Sequence, residues 1–226
     1  MEFSIITAVD KQHLRELEQS YYSWVEYKQE FRKYPIKIIY DSSQVTLNDL
    51  KTFKRNDVEF IPWDGNYKTQ REKMLTALTV LPAQIVDTTW YLKIDTDTFA
   101  LNNKSWVPEF DDSVFITNHW GSTKPANAIE TLDDWADKVD YFKGTSRLNL
   151  PYDSNSGKIK HSRIISWLFF GQTKWTNEVT DCFLDTNKYQ LPFPSQDTCL
   201  WYCAMRKGYK YRTINFKELG FEHRKI

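Results

Sequence analysis

Apolar and polar positions alternate between two rhythms along the first hundred residues. Phe3 to Val9 is a short, mainly apolar run, the length of a strand buried on both faces. Leu14, Leu17, Tyr21 and Trp24 follow at steps of three and four, one stripe along a helix. The pattern then repeats. Ile36 to Tyr40 predicts a second strand, and Thr46 with Asp49 a capping box that opens a short helix through Leu50 and Phe53. Val58 to Ile61 predicts a third strand, and Met74, Leu75, Leu78 and Leu81 a helix stopped by Pro82. Trp90 to Ile94 predicts a fourth strand that runs straight into Asp95-Thr96-Asp97. Such alternation gives an α/β domain with a mainly parallel central sheet, right-handed crossovers and flanking helices.

The second half is less regular. Val114 to Thr117, Ile164 to Phe170 and Tyr209 to Phe216 read as strands. Glu130 to Phe142, Thr176 to Leu184 and the stretch through Trp201 and Met205 read as helices, the last halted near Gly208. Lys143 to Ser162 is polar and rich in turn formers, and reads as a functional loop or lid. No linker, repeat or low-complexity tract divides the 226 residues, so a single domain spanning 1–226 is expected.

Composition narrows the function classes. Thirty basic residues balance thirty acidic ones, which disfavours general nucleic-acid binding, since that needs a basic surplus. Three cysteines without a CxxC pair indicate neither a disulfide framework nor a zinc site. No apolar run is long enough to span a membrane and no signal-peptide pattern opens the chain, so a cytoplasmic, reducing setting is expected. Aromatic residues reach 16 %, more than a core alone requires. Walker and dinucleotide-binding glycine motifs and a G-x-S-x-G elbow are absent, which disfavours P-loop kinases, ordinary dehydrogenases and serine hydrolases.

The chemistry concentrates at strand ends, where open α/β sheets bind ligands. Val9-Asp10, Tyr40-Asp41, Trp63-Asp64 and Asp95-Thr96-Asp97 all lie at such ends, although Asp41 and Asp64 singly read as turn formers. Residues two apart in an extended segment project to the same side, so Asp95 and Asp97 can converge on one hard cation. A carboxylate at a helix start, as at Asp197 after Pro194-Ser195-Gln196, stays ionised and can accept a proton, or can simply cap the helix.

Tyr91-Leu92-Lys93-Ile94-Asp95-Thr96-Asp97-Thr98 resembles the metal-binding segment of the GT-A glycosyltransferases, and Ser4 to Asp10 is similar to their first strand. The resemblance runs along most of the chain as scattered landmarks. It implies a single GT-A (Rossmann-like) domain, with residues 1–101 binding the nucleotide-sugar and residues 102–226 the acceptor. It implies Mn²⁺ or Mg²⁺ held by Asp95 and Asp97, with His223 as third ligand. Thr7, Ala8, Val9, Asp10, Arg71, Lys73 and Thr96 would meet the nucleotide. Asp197 would be the catalytic base of an inverting transfer. Indole faces suit stacking on a sugar, so Trp120 and Trp167 are expected on the acceptor and sugar side, together with His119, Gly171 and Gln196, the last of which stands where a glutamate is common in the family. The expected activity is transfer of a sugar from a nucleoside diphosphate sugar, UDP favoured, to a hydroxyl of a glycan, protein, small molecule or modified nucleic-acid base. A nucleotidyltransferase acting on a sugar phosphate and a non-catalytic nucleotide-sugar-binding module are the competing readings.

Overall fold

The structure, a computed structural model, describes residues 3–53, 58–65, 73, 76–118, 121–148, 150, 152–153, 158–162, 167–184 and 196–224, with the side chains at 29, 121–129, 152–153, 158–162, 181–184 and 196–199 outside the description. The chain opens with β1 (Phe3–Val9), a 3-10 turn at Lys11–His13 and α1 (Leu14–Tyr27), then β2 (Ile36–Asp41) and β3 (Val58–Trp63). A π-helical turn at Thr76–Val80 leads into the one-turn α2 (Leu81–Gln84). Pro82 sits in the first turn of α2, where its missing N–H costs nothing, and so begins this helix instead of stopping one. Next come β4 (Trp90–Ile94), β5 (Thr98–Ala100), β6 (Phe115–Asn118), β7 (Gly121–Pro125) and α3 (Ala126–Ala136). After β8 (Tyr152–Asp153), β9 (Lys158–Ser162) and β10 (Leu168–Gln172) follow α4 (Thr173–Leu184), α5 (Gln196–Arg206), β11 (Arg212–Ile214) and β12 (Phe221–His223).

Seven strands form the central sheet in the order β11-β6-β10-β4-β1-β2-β3. β10 runs antiparallel to both its neighbours, and the other pairings in this sheet are parallel. Strand alternation splits the apolar residues between two faces. Ile6, Ile39, Tyr91 and Phe169 pack against Leu132, Trp135, Trp175 and Leu200 of α3, α4 and α5. Ile5, Ile38, Leu92 and Phe170 pack against Leu17, Tyr21 and Trp24, the predicted stripe of α1. Each such large side chain, when fully buried, contributes roughly 1.5–3 kcal/mol of transfer free energy.

Three further local expectations are corrected. The Thr46–Asp49 capping pair forms, Thr46 N–H donating to Asp49 Oδ2 at 2.8 Å, yet it opens turns and a 3-10 stretch at Lys51–Phe53 in place of an α-helix. Part of the polar segment 143–162, expected as loop, is strand: β9 pairs antiparallel with both β7 and β8. The C-terminal tail contributes β12, which pairs antiparallel with β5 and sets His223 opposite Thr98. Gly220 precedes it at φ 78°, a left-handed conformation that suits glycine, and a Cβ there would strike Asn102.

Candidate active site

From β1 the chain steps outward to β2 and β3, then returns to lay β4 on the other side of β1. The carboxyl ends of β1 and β4 therefore flank a topological switch point, the place where such sheets open a crevice. A cleft of about 170 Å³ lies there. Ala8, Val9, Asp10 and His13 line it from the β1 end, Ile39 and Trp63 from β2 and β3, and Lys73, Ala77 and Leu78 from the segment before α2. Asp95, Thr96 and Asp97 complete its wall from the β4 end.

Asp10 organises the β1 side. Its Oδ1 accepts the backbone amides of Gln12 at 3.1 Å and His13 at 3.2 Å, capping the 3-10 turn, and lies 2.5 Å from His13 Nδ1. Its Oδ2 pairs with Lys73 Nζ. Burial pushes the Asp10 carboxyl upward, but its bonds to Lys73 and His13 outweigh this and hold it below the usual carboxylate range. A cation and an imidazole thus stand fixed in the cleft by one carboxylate.

Asp95-Thr96-Asp97 turns out of β4 with its backbone fixed on both sides. Asp95 N–H donates to Trp167 O at 2.8 Å, and Arg224 N–H to Asp97 O at 2.8 Å. Asp95 pairs with Lys93 Nζ, an ammonium only 1 % exposed on the face of the sheet toward α3–α5. The Thr96 hydroxyl donates to Glu16 Oε2 of α1 at 3.3 Å. Asp97 Oδ2 lies 2.9 Å from His223 Nε2. Burial, and then the charge of Asp95, push the Asp97 carboxyl upward, with His223 opposing.

Two carboxylates and an imidazole are an oxygen-and-nitrogen donor set that suits a small divalent cation. The strain of like charge on Asp97 is what such a cation would relieve. Among the described residues no three acidic, histidine or cysteine side chains form a ready cage. Asp95 is instead engaged by Lys93, so a cation would draw Asp95 away from an existing partner.

Several expected residues meet here and others do not. Ala8, Val9, Asp10, Lys73, Asp95, Thr96 and Asp97 share one cleft, and His223 touches Asp97. Thr7 is fully buried inside β1, on the face packed against α1, and does not line the cleft. Gly171 is also a packing position: it sits in β10, where a Cβ would collide with the Tyr91 ring. Trp167, expected on the acceptor side, stacks on the His223 imidazole with centroids 5.6 Å apart. Asp197 and Gln196 occupy the first turn of α5, their side chains outside the described residues, as are Arg71, His119 and Trp120 altogether. His13, which reads from sequence as a surface residue, and Glu16 are the additions. The signal for both was their position in the first turns after a strand-end aspartate.

No protein-family model matches the sequence, and no curated protein matches it. Solved structures do match in fold. The galactosyltransferase LgtC, solved with donor and acceptor sugar analogues, superposes with a TM-score of 0.56 at 12 % identity, over 92 % of this chain and 73 % of that one. The mannosyltransferase Ktr4p of S. cerevisiae in complex with GDP gives 0.56 at 11 % identity, over 98 % and 71 %. The core-mannan synthase A of Aspergillus fumigatus, in an Mn/GDP form, gives 0.53 at 12 % identity, over 99 % and 74 %. The fold is thus the GT-A fold, as the sequence landmarks imply.

Proposed function

We propose that this chain is a metal-dependent glycosyltransferase that moves a sugar from a nucleoside diphosphate sugar to an acceptor hydroxyl. The observation that carries the reading is the meeting of Asp10, His13 and Lys73 with Asp95, Thr96 and Asp97 in one cleft at the sheet's switch point. Residues 1–101 would supply the donor site and residues 102–226 the acceptor side. The nucleoside would lie along Ala8, Val9 and Asp10, with the His13 and Trp63 rings offering flat faces to a base. Lys73, and Arg71 in the same segment, would answer the anionic diphosphate. Thr96, whose hydroxyl proton is already given to Glu16, presents its oxygen as an acceptor for a ribose hydroxyl.

Asp95, Asp97 and His223 would hold Mn²⁺ or Mg²⁺. Such an ion, when bound, neutralises the charge that develops on the leaving diphosphate. Asp197, at the N-terminal turn of α5, would accept the proton of the acceptor hydroxyl. The acceptor oxygen then bonds to the sugar's anomeric carbon as the bond from that carbon to the diphosphate breaks. This is a single displacement with inversion, and Gln196, His119, Trp120 and Trp167 would shape the sugar and acceptor side. UDP is the first base to try. GDP follows, because two of the matching structures hold it.

Donor hydrolysis tests the reading. Wild-type protein incubated with a panel of UDP- and GDP-sugars and Mn²⁺ should release the nucleoside diphosphate slowly as water substitutes for the acceptor. Release from no donor would leave a binding module, and pyrophosphate release from a nucleoside triphosphate with a sugar phosphate would make it a nucleotidyltransferase. Retained anomeric configuration in the product, read by NMR, would remove Asp197 from the role of base.

A further inference from the structure

β5 and β12 form a two-stranded ribbon apart from the main sheet, each strand three residues long. An isolated pair of strands this short is marginal in water. Yet its register sets His223 beside Asp97, so something must fasten it. Antiparallel pairing matches Phe221 with Ala100 and His223 with Thr98, and Leu101 N–H donates to Gly220 O at 2.8 Å. α1 supplies the fastening. Trp24 Nε1 donates to Thr98 O at 2.6 Å, and Ser23 Oγ accepts the amide of Ala100 at 3.0 Å.

The third contact from this helix is of a different kind. Lys28, just past α1, is 2 % exposed. Its ammonium donates to Lys104 O at 2.8 Å and to Leu219 O at 2.6 Å, and lies 5.1 Å from the centre of the Phe221 ring. Lys104 follows β5 and Leu219 precedes β12, so a single cation ties both arms together at the end remote from Asp97 and His223. Burying an ammonium among carbonyls and a ring is costly. An apolar side chain would fill the space at lower cost. What the charge provides is two strong, directed bonds to backbone that no apolar residue can make.

We propose that Lys28 is a positioning residue for the Asp97–His223 pair, acting as a clamp on the far end of the β5–β12 ribbon. Freed of the clamp, the arms can slip in register, and a slip of one residue turns His223 to the opposite face. The inference rests on the reading of Asp97 and His223 as cation ligands, and its test separates the two.

Lys28→Met keeps the aliphatic stem and removes the donors. Hydrogen exchange is measured on the metal-free variant, and Mn²⁺ affinity by EPR of the free ion. The amides of Leu101 and Arg224 should exchange faster while that of Ile5, in the central sheet, does not change. Mn²⁺ binding should weaken roughly ten- to a hundred-fold, the usual effect of losing a partner that orients a ligand. Unchanged exchange at Leu101 and Arg224, or unchanged Mn²⁺ affinity with faster exchange, overturns the proposal. Lys28→Gln, which keeps one amide donor, should show part of both effects and carries the comparison if Lys28→Met does not fold. Asp97→Ala is the control for the site itself. If it binds Mn²⁺ as wild type does, the cation reading fails, whereas the exchange result still reports on the clamp.

Discussion

His223 Nε2 lies 2.9 Å from Asp97 Oδ2 because β12 runs antiparallel to β5 in the register that sets His223 opposite Thr98. A carboxylate leaving one strand end and an imidazole from the chain's last strand thus become neighbours through a ribbon of six residues. The ring of Trp167 covers that imidazole, and the Trp167 carbonyl also accepts the amide of Asp95.

Trp167 therefore acts on the pair through packing. Trp167→Ala should weaken Mn²⁺ binding by roughly ten-fold, the low end for residues that orient a ligand. Trp167→Phe, which keeps a flat ring against His223, should recover most of it. EPR titration of both variants against wild type is the measurement, and equal affinities for wild type and Trp167→Ala would detach Trp167 from the site.

A buried network anchors α5 at the end opposite Asp197. Arg206 Nη1 and the Tyr202 hydroxyl each lie 2.5 Å from Asp133 Oδ1 of α3, and Arg206 Nη2 lies 2.6 Å from Asp137. Arg206 and Asp133 are 2 % and 6 % exposed, so removing Arg206 leaves the Asp133 carboxylate buried without this counter-charge. Arg206→Met should cost roughly 3–5 kcal/mol of stability in urea unfolding. The double variant Arg206→Met/Asp133→Leu should recover much of that loss, and a double variant as unstable as the single would show that packing, not charge, dominates there.

Lys28 also gives stability a dependence on alkaline pH. Burial, then the nearby Lys104 charge, push its ammonium down from 10.5 to about 8, with Glu30 opposing. Below pH 8 the group is protonated in both folded and unfolded chains, and the cost of burying the charge is present in full. Between pH 8 and 10.5 the unfolded chain binds more protons, so this contribution makes the fold more stable as pH rises. The whole change is on the order of 3 kcal/mol, at 1.36 kcal/mol per pKa unit. Lys28→Met should lack this rise, so the unfolding free energy of wild type minus that of the variant should increase steadily across that window. A constant difference from pH 8 to 10.5 would contradict it.

The legible parts of the fold were those with a strong local signal. β1, β2 and β4 are buried apolar runs with few alternatives, β3 is a mainly apolar but only half-buried one, and α1 carries one unbroken stripe. β7 and β9, with sequences GSTKP and KIKHS, are polar strands in a small side sheet, and nothing in their composition separates them from loop. β5 and β12 are too short for periodicity, and their pairing is a contact between distant parts of the chain. At the cleft, Asp10 and the Asp95–Asp97 segment announced themselves by following strands. His13 and Glu16 carried only the weaker signal of following Asp10 in the chain, because their place depends on how α1 leaves Asp10 and lies over Thr96. Thr7 and Gly171 went the other way: strand alternation turns the Thr7 side chain toward α1, and the Tyr91 ring fills the space beside Gly171.

If Asp95, Asp97 and His223 hold a divalent cation in the cleft, nucleotide binding depends on that cation. A thermal-shift titration with UDP, GDP, CDP and ADP, each with and without Mn²⁺, on wild type, Asp97→Ala and His223→Ala tests it most directly. A ligand at a hundred-fold excess over its dissociation constant stabilises the native state by about 2.7 kcal/mol, a readily visible shift. One nucleoside diphosphate should raise the wild-type transition only when Mn²⁺ is present, and both substitutions should abolish the rise. If no nucleotide stabilises the wild type under any condition, or if Asp97→Ala responds as the wild type does, the donor site does not lie at these residues.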